Sequence, residues 1–157
     1  MKNSFGPGAL ALLNEIKTKY PTGRAAIMPA LYVAQEEFGW LMPEALKAVA
    51  DCLELPEMTV RSTATFYSMY RHRKAGRNVI RICTNVSCMV LGARTLKGVL
   101  EGLYGVAPGG VSPDGRFSLE IADCIGACGS GPAMLVNDDL HTGLDAKKII
   151  EVLENYK

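Results

Sequence analysis

Val79-Ile80-Arg81-Ile82-Cys83-Thr84-Asn85-Val86-Ser87-Cys88 is the stretch whose reading decides the fold. Its first four residues, rich in β-branched side chains, read as a short strand that runs directly into a cysteine. A second cysteine follows after four residues. The arrangement returns downstream, where Phe117 to Ile121 alternates like a strand and leads to Cys124-Ile125-Gly126-Ala127-Cys128, with three residues between the cysteines. Thirty-five residues separate the two pairs. Both pairs leave the C-terminal ends of strands, so neighbouring strands would set all four thiols at one edge of a sheet.

Around these pairs the pattern is that of a small α/β sandwich. A helix over about Leu91 to Leu103 follows the first pair, and Pro108-Gly109-Gly110 and Pro113-Asp114-Gly115 mark turns. Ala133 to Val136 reads as a third strand, Asn137-Asp138-Asp139 as a hairpin turn into a fourth, and Asp145 to about Asn155 as a closing helix with an Ile149, Ile150, Leu153 stripe. Upstream the sequence is all helical. Leu10, Leu12, Leu13 and Ile16 lie on an amphipathic stretch ended by Pro21; further helices are expected over Ala25–Phe38, Pro43–Leu53 and Pro56–Tyr70, the last two opened by first-turn prolines. The polar run Arg71 to Gly76 is the expected linker. The expected organisation is therefore a helical bundle domain over residues 1–75 and an α/β domain over 76–157, an α+β to α/β chain.

Composition bounds the function. Of 157 residues 48% are apolar and 21% charged, enough apolar material for a folded core. A net charge of +1 gives no global field to recruit nucleic acid. No apolar run approaches the ~20 residues needed to span a bilayer. Met1 to Gly8 lacks the basic-then-apolar order of a secretory signal, which points to a reducing compartment. There, paired cysteines serve metals or redox chemistry more often than disulfides.

The spacing favours an iron–sulfur cluster. Structural zinc sites prefer two-residue knuckles, and a dithiol oxidoreductase needs Cys-x-x-Cys, which is absent. The four-residue gap occurs in plant-type [2Fe–2S] ferredoxins, although their next gap is two residues, and four thiolates suit [2Fe–2S] or [4Fe–4S] by count. Gly126, Gly129 and Gly131 suit backbone wrapped closely around an inorganic core, and N–H groups aimed at sulfur tune such a core. Cys83 and Cys88, five apart, converge on this reading through a loop. A zinc-stapled interaction module and a thiol redox sensor remain as readings of a different class.

Taken together, Cys83-x4-Cys88 with Leu91-Gly92-Ala93, Cys124-Ile125-Gly126-Ala127-Cys128 with Gly131-Pro132, and the upstream Phe38-Gly39-Trp40-Leu41 and Ala64-Thr65-Phe66-Tyr67-Ser68-Met69 stretches resemble the thioredoxin-like [2Fe–2S] ferredoxin family. Within it they are most similar to the ferredoxin subunits of the NADH-dehydrogenase module of respiratory complex I. The resemblance implies a thioredoxin-like second domain and one [2Fe–2S] cluster held by Cys83, Cys88, Cys124 and Cys128. It also implies a partner flavoprotein that binds FMN and NADH and carries a [4Fe–4S] cluster, within a larger complex peripheral to the inner membrane on the cytoplasmic side. The chain would be part of an oxidoreductase without being catalytic alone. The diaphorase part of an NAD-linked hydrogenase or formate dehydrogenase is the alternative owner. The one glycine-rich stretch, Gly126 to Gly131, is absorbed by the cluster loop, so NADH and FMN are expected on the partner.

Other residues have plainer readings. Cys52 sits in an apolar helix stripe and is expected in the core. His72 and His141 are expected at the surface, Phe38 and Trp40 in the bundle, and Asp138 and Asp139 in a turn. Arg71, Arg73, Lys74, Arg77 and Arg81 form a local basic cluster, either a solvated face or a contact for a partner. Ser62, Thr63, Thr65 and Ser68 have no histidine–carboxylate set beside them to make a nucleophile.

Overall fold

The computed structural model describes residues 4–157. The reading of Met1 to Gly8 as free of a secretory pattern rests partly on Met1–Asn3, which lie outside the described residues. The chain divides into two compact units, Met1–Lys74 and Ala75–Lys157.

The first unit is four helices: α1 (Pro7–Lys19), α2 (Ile27–Phe38), α3 (Pro43–Leu53) and α4 (Glu57–Phe66). They bury Leu13, Leu31, Leu41, Leu46, Val49, Leu53 and Val60 in one core, with Cys52 and Phe38 packed against it. Phe38 also meets Phe5, ring centroids 5.1 Å apart. Pro43 opens α3 as expected, and Gly39 ends α2 with φ +81°. Three expectations need correction. Leu10 and Leu12 are exposed, because α1 turns Ala9 and Leu13 inward instead. Pro56 precedes α4 as its cap residue rather than lying in the first turn. And α4 stops at Phe66, not Tyr70. Hydroxyls late in α4 turn back onto its carbonyls, Thr63 Oγ1 onto Thr59 O and Thr65 Oγ1 onto Arg61 O, both at 3.0 Å, which weakens continuation. The segment beyond is held by the buried Gln35, whose amide donates to Met69 O at 3.3 Å and accepts from the Arg71 N–H at 2.6 Å.

The second unit runs β1 (Asn78–Cys83), α5 (Val86–Val90), α6 (Ala93–Tyr104), β2 (Phe117–Ala122), β3 (Met134–Val136), β4 (Asp139–His141) and α7 (Ala146–Glu154). The sheet order is β2-β1-β3-β4, with β1 parallel to β2 and the remaining pairs antiparallel. The register pairs Ile80 with Leu119 and Cys83 with Ala122. One core gathers Ile80, Ile82, Phe117, Leu119 and Met134 from the strands with Leu96, Leu100, Ile149 and Leu153 from α6 and α7. Two turns match expectation: Gly109 and Gly115 have φ of +76° and +70°, conformations open to glycine at little cost. The helix expected over about Leu91–Leu103 is α6, which starts after Gly92 with φ +104°; an additional short helix, α5, precedes it and carries Cys88. Arg81 leaves the basic cluster altogether: it lies in β1 and pairs with Glu120 on β2 at 2.8 Å.

Asp145 caps α7, accepting from the N–H groups of Lys147 at 2.9 Å and Lys148 at 2.8 Å. The Lys148 N–H, opposed by burial and reinforced by the Lys147 N–H, holds this carboxyl below its usual range. A depressed folded pKa means the cap stabilises above the ordinary aspartate pKa and is lost as pH falls through the lower folded value. Asp145→Ala should therefore lower the melting temperature by a few degrees near neutrality. The gap to the parent should close on acidification through that window, as followed by circular dichroism at each pH. A gap that stays constant into acid would refute the cap's role.

Candidate metal centre

The C-terminal edge of the β1–β2 pair assembles the four paired cysteines. Cys83 is the last residue of β1, and Cys124 follows two residues after β2. Backbone pairing continues past the strand ends and fixes this edge: Cys83 N–H donates to Ala133 O at 3.1 Å and Thr84 N–H to Ala122 O at 2.9 Å. Cys88 does not come round on a loop, as the five-residue separation suggested. Asn85 stops the strand and caps α5, its side-chain oxygen accepting from the Val86 N–H at 3.0 Å, and the short helix swings Cys88 back beside Cys83. Cys128 opens a single 3₁₀ turn over Cys128–Ser130, after Gly126 with φ +84° has reversed the chain.

The sulfurs form one interacting set with an inside and an outside. Cys83 and Cys88 are each 1% exposed, whereas Cys124 and Cys128 are open to solvent. Burial pushes the Cys83 thiol up, yet the N–H groups of Asn85 and Ile125 and the thiols of Cys88 and Cys124 outweigh it and leave Cys83 below its ordinary pKa. Cys88 is raised by burial and by its bond to Cys83, and the Ala133 N–H works the other way. Cys128 is raised by its bond to Cys124 and by the charge there. Gly126 N–H lies 3.3 Å from Cys124 Sγ. Cys83 thus deprotonates more easily than an ordinary thiol, whereas the thiolate forms of Cys88 and Cys128 are opposed by neighbouring sulfur charge.

This donor set fits a cationic metal–sulfide core. A metal deprotonates its thiol ligands outright and relieves that repulsion, and backbone N–H groups already aimed at sulfur complement the charge of a liganded cluster. Among the described residues no three ligating side chains are gathered as one metal ion would require. A two-iron cluster asks for something else, two thiolates for each iron, and the chain offers four sulfurs in two pairs.

Gly131 was one of the glycines expected to let the backbone pass closely around an inorganic core. A Cβ at this position would stand 3.2 Å from Cys88 Sγ and 3.3 Å from Leu91 Cδ1, so glycine leaves room beside the inner sulfur. The N–H donors of Asn85, Ile125 and Ala133 could not be read in advance, since they belong to the backbone and carry no residue-type signal. The residues with plainer readings stay outside the set. Cys52 packs in the helical core, and His72 Nε2 lies 3.0 Å from Ala64 O. His141 is half-buried rather than a bare surface residue. Its Nε2 meets the Tyr156 hydroxyl at 3.0 Å, and that hydroxyl donates to Asp139 Oδ2 at 2.7 Å, so Asp139 belongs to β4 and not merely to the turn.

Residues 13–157 match the family described as thioredoxin-like [2Fe-2S] ferredoxin. The chain belongs to this family. Its resident cofactor is a [2Fe–2S] cluster. Among relatives of this ferredoxin, an NADH-quinone oxidoreductase subunit of Rhizobium meliloti (strain 1021) is 41% identical over 139 residues, covering 88% of this chain and 83% of the relative. The like-named protein of Aquifex aeolicus (strain VF5) is 36% identical over 149 residues, covering 90% and 93%. That of Escherichia coli (strain K12) is 39% identical over 138 residues, covering 88% and 83%. The ferredoxin also shares its fold with part of an NAD+-reducing [NiFe]-hydrogenase in the H2-reduced state, at a TM-score of 0.73 and 24% identity. That match covers 87% of this chain but spans only 23% of the hydrogenase chain. No helix among the described residues is long and apolar enough to cross a membrane.

Proposed function

We propose that this ferredoxin is an electron-transfer component of an NADH:quinone oxidoreductase, with Cys83, Cys88, Cys124 and Cys128 as the ligands of its cluster. When bound, the cluster takes up and returns one electron at a time. The observation that carries the reading is the four-sulfur set at the end of β1 and β2, buried on one side and open on the other. The protein's own residues then have separable tasks. Cys83 and Cys88 anchor the group from within the core. Cys124 and Cys128 present it outward, where an electron partner can approach. The N–H groups of Asn85, Ile125, Ala133 and Gly126 donate to the sulfurs and set the potential.

The proposed partner is a flavoprotein that binds NADH and FMN and carries a [4Fe–4S] cluster. The assembly would be peripheral to the inner membrane on the cytoplasmic side, and the ferredoxin would not turn over NADH alone. Identities of 36% and 41% over most of the length of NADH-quinone oxidoreductase components support this owner over a hydrogenase or formate dehydrogenase diaphorase. Residues 1–75 and 76–157 are proposed as two domains, the first serving assembly and the second holding the cluster. The test is co-expression with an NADH- and FMN-binding flavoprotein subunit from the same organism. The two should co-purify, and NADH should reduce the ferredoxin's cluster in the pair but not in the ferredoxin alone. Failure of NADH to reach the cluster in a stable pair would sink the proposal.

A further inference from the structure

Beside the cysteine edge, α6 fails to cover the last core-facing residue of β2. Phe117, Leu119 and Ile121 share one face of the strand by the two-residue period. The first two are 0% exposed, whereas Ile121 is 42% exposed. A cavity of about 470 Å³ opens there, lined by Thr84, Met89, Ala93, Arg94, Lys97 and Ile121. Thr84 adjoins the ligand Cys83, so this cavity and the metal centre are neighbours.

The strand edge is unfinished at the same place. β2 is an outer strand of the sheet. Its first half is covered by the 108–112 segment: Gly109 N–H donates to Leu119 O at 2.7 Å, and Leu119 N–H to Gly110 O at 3.3 Å. The outward direction of Leu119's peptide groups recurs two residues on, at Ile121. Among the described residues no such segment continues past Leu119, so the Ile121 N–H and C=O face an open edge. Such an edge is a template for another extended chain.

Charge identifies what would cover it. The lining holds two cations and no carboxylate. Arg94 is exposed and makes no ion pair among the described residues, and Lys97 has only a 3.6 Å contact to Glu101, one helical turn away. We infer that an extended acidic segment of the flavoprotein partner docks along the open half of β2. It would seat an apolar side chain against Met89, Ala93 and Ile121 and set its carboxylates on Arg94 and Lys97. This deepens the proposed function and rests on it.

The test is the affinity of the full-length, iron-loaded ferredoxin for the flavoprotein, by calorimetry at two salt concentrations, with iron counted on each sample. Arg94→Glu with Lys97→Glu should weaken binding about tenfold or more and flatten its salt dependence, while Lys147→Glu on the exposed face of α7 should change it little. Should the double variant lose iron, Arg94→Gln alone carries the test, with a loss of about threefold expected. Unchanged affinity in an iron-replete variant would overturn the inference and leave the proposed function standing. Absence of binding by the parent protein would overturn both. A ferredoxin dimer that Arg94→Glu dissolves would also overturn it, by making a second copy the occupant of this face.

Discussion

Serine in place of Cys88 should strip the protein of nearly all its iron, whereas serine in place of Cys128 should leave a measurable fraction bound with a shifted visible spectrum. Both changes swap a soft thiolate for a harder oxygen ligand, but their surroundings differ. Cys88 is 1% exposed and held by the Ala133 N–H, so a shorter hydroxyl there neither reaches the cluster position well nor finds water. A buried hydroxyl without a full partner costs about 1–3 kcal/mol, which adds a folding penalty to the loss of a ligand. Cys128 is exposed, and water can reach the position beside it. Iron-to-protein ratios on anaerobically purified variants check this. Equal retention in both variants would contradict the division into inner and outer ligands.

Phe117→Ala should be the most damaging single change in the apolar core of the second unit. Phe117 is fully buried, meets Tyr104 edge-on with centroids 5.2 Å apart, and lies under the Arg116 guanidinium at 4.5 Å. Its backbone N–H donates to Ser112 Oγ at 2.9 Å, which ties the turn before β2 to the strand. Truncating such a ring costs about 3–5 kcal/mol, against a total of roughly 5–15 kcal/mol for a typical domain. Denaturant melts should show the midpoint fall sharply, with the cluster's colour lost in the same transition because the chain leaving β2 carries Cys124. A loss below about 1 kcal/mol would mean that the ring is not the centre of that core.

The strands that lead into the four cysteines were legible because hydrophobic alternation and cysteine spacing agreed. Val79–Ile82 and Phe117–Ile121 lie within β1 and β2, each observed strand being slightly longer. Helix α3 was legible to the residue, from a first-turn proline and a periodic stripe. What escaped depended on tertiary partners. The end of α4 at Phe66 comes from hydroxyls turning onto carbonyls and from Gln35 holding Met69 and Arg71, a contact 34 and 36 residues away in sequence. Helix α5 escaped because five residues are too few for a periodic signal, and its cue was a single capping asparagine. The inside–outside split of the four cysteines also escaped, since spacing says nothing about burial. The relatives reinforce the family reading of the sequence.

The most direct test of the four-cysteine ligand set is low-temperature EPR of the anaerobically purified full-length protein, before and after dithionite, with iron and zinc counted on the same sample and on the Cys88→Ser variant. The account predicts two irons per chain, a rhombic signal of about one spin per two irons that arises only on reduction, and its disappearance with the iron in the variant. Stoichiometric zinc with no signal, or a full signal that survives loss of Cys88, would contradict it.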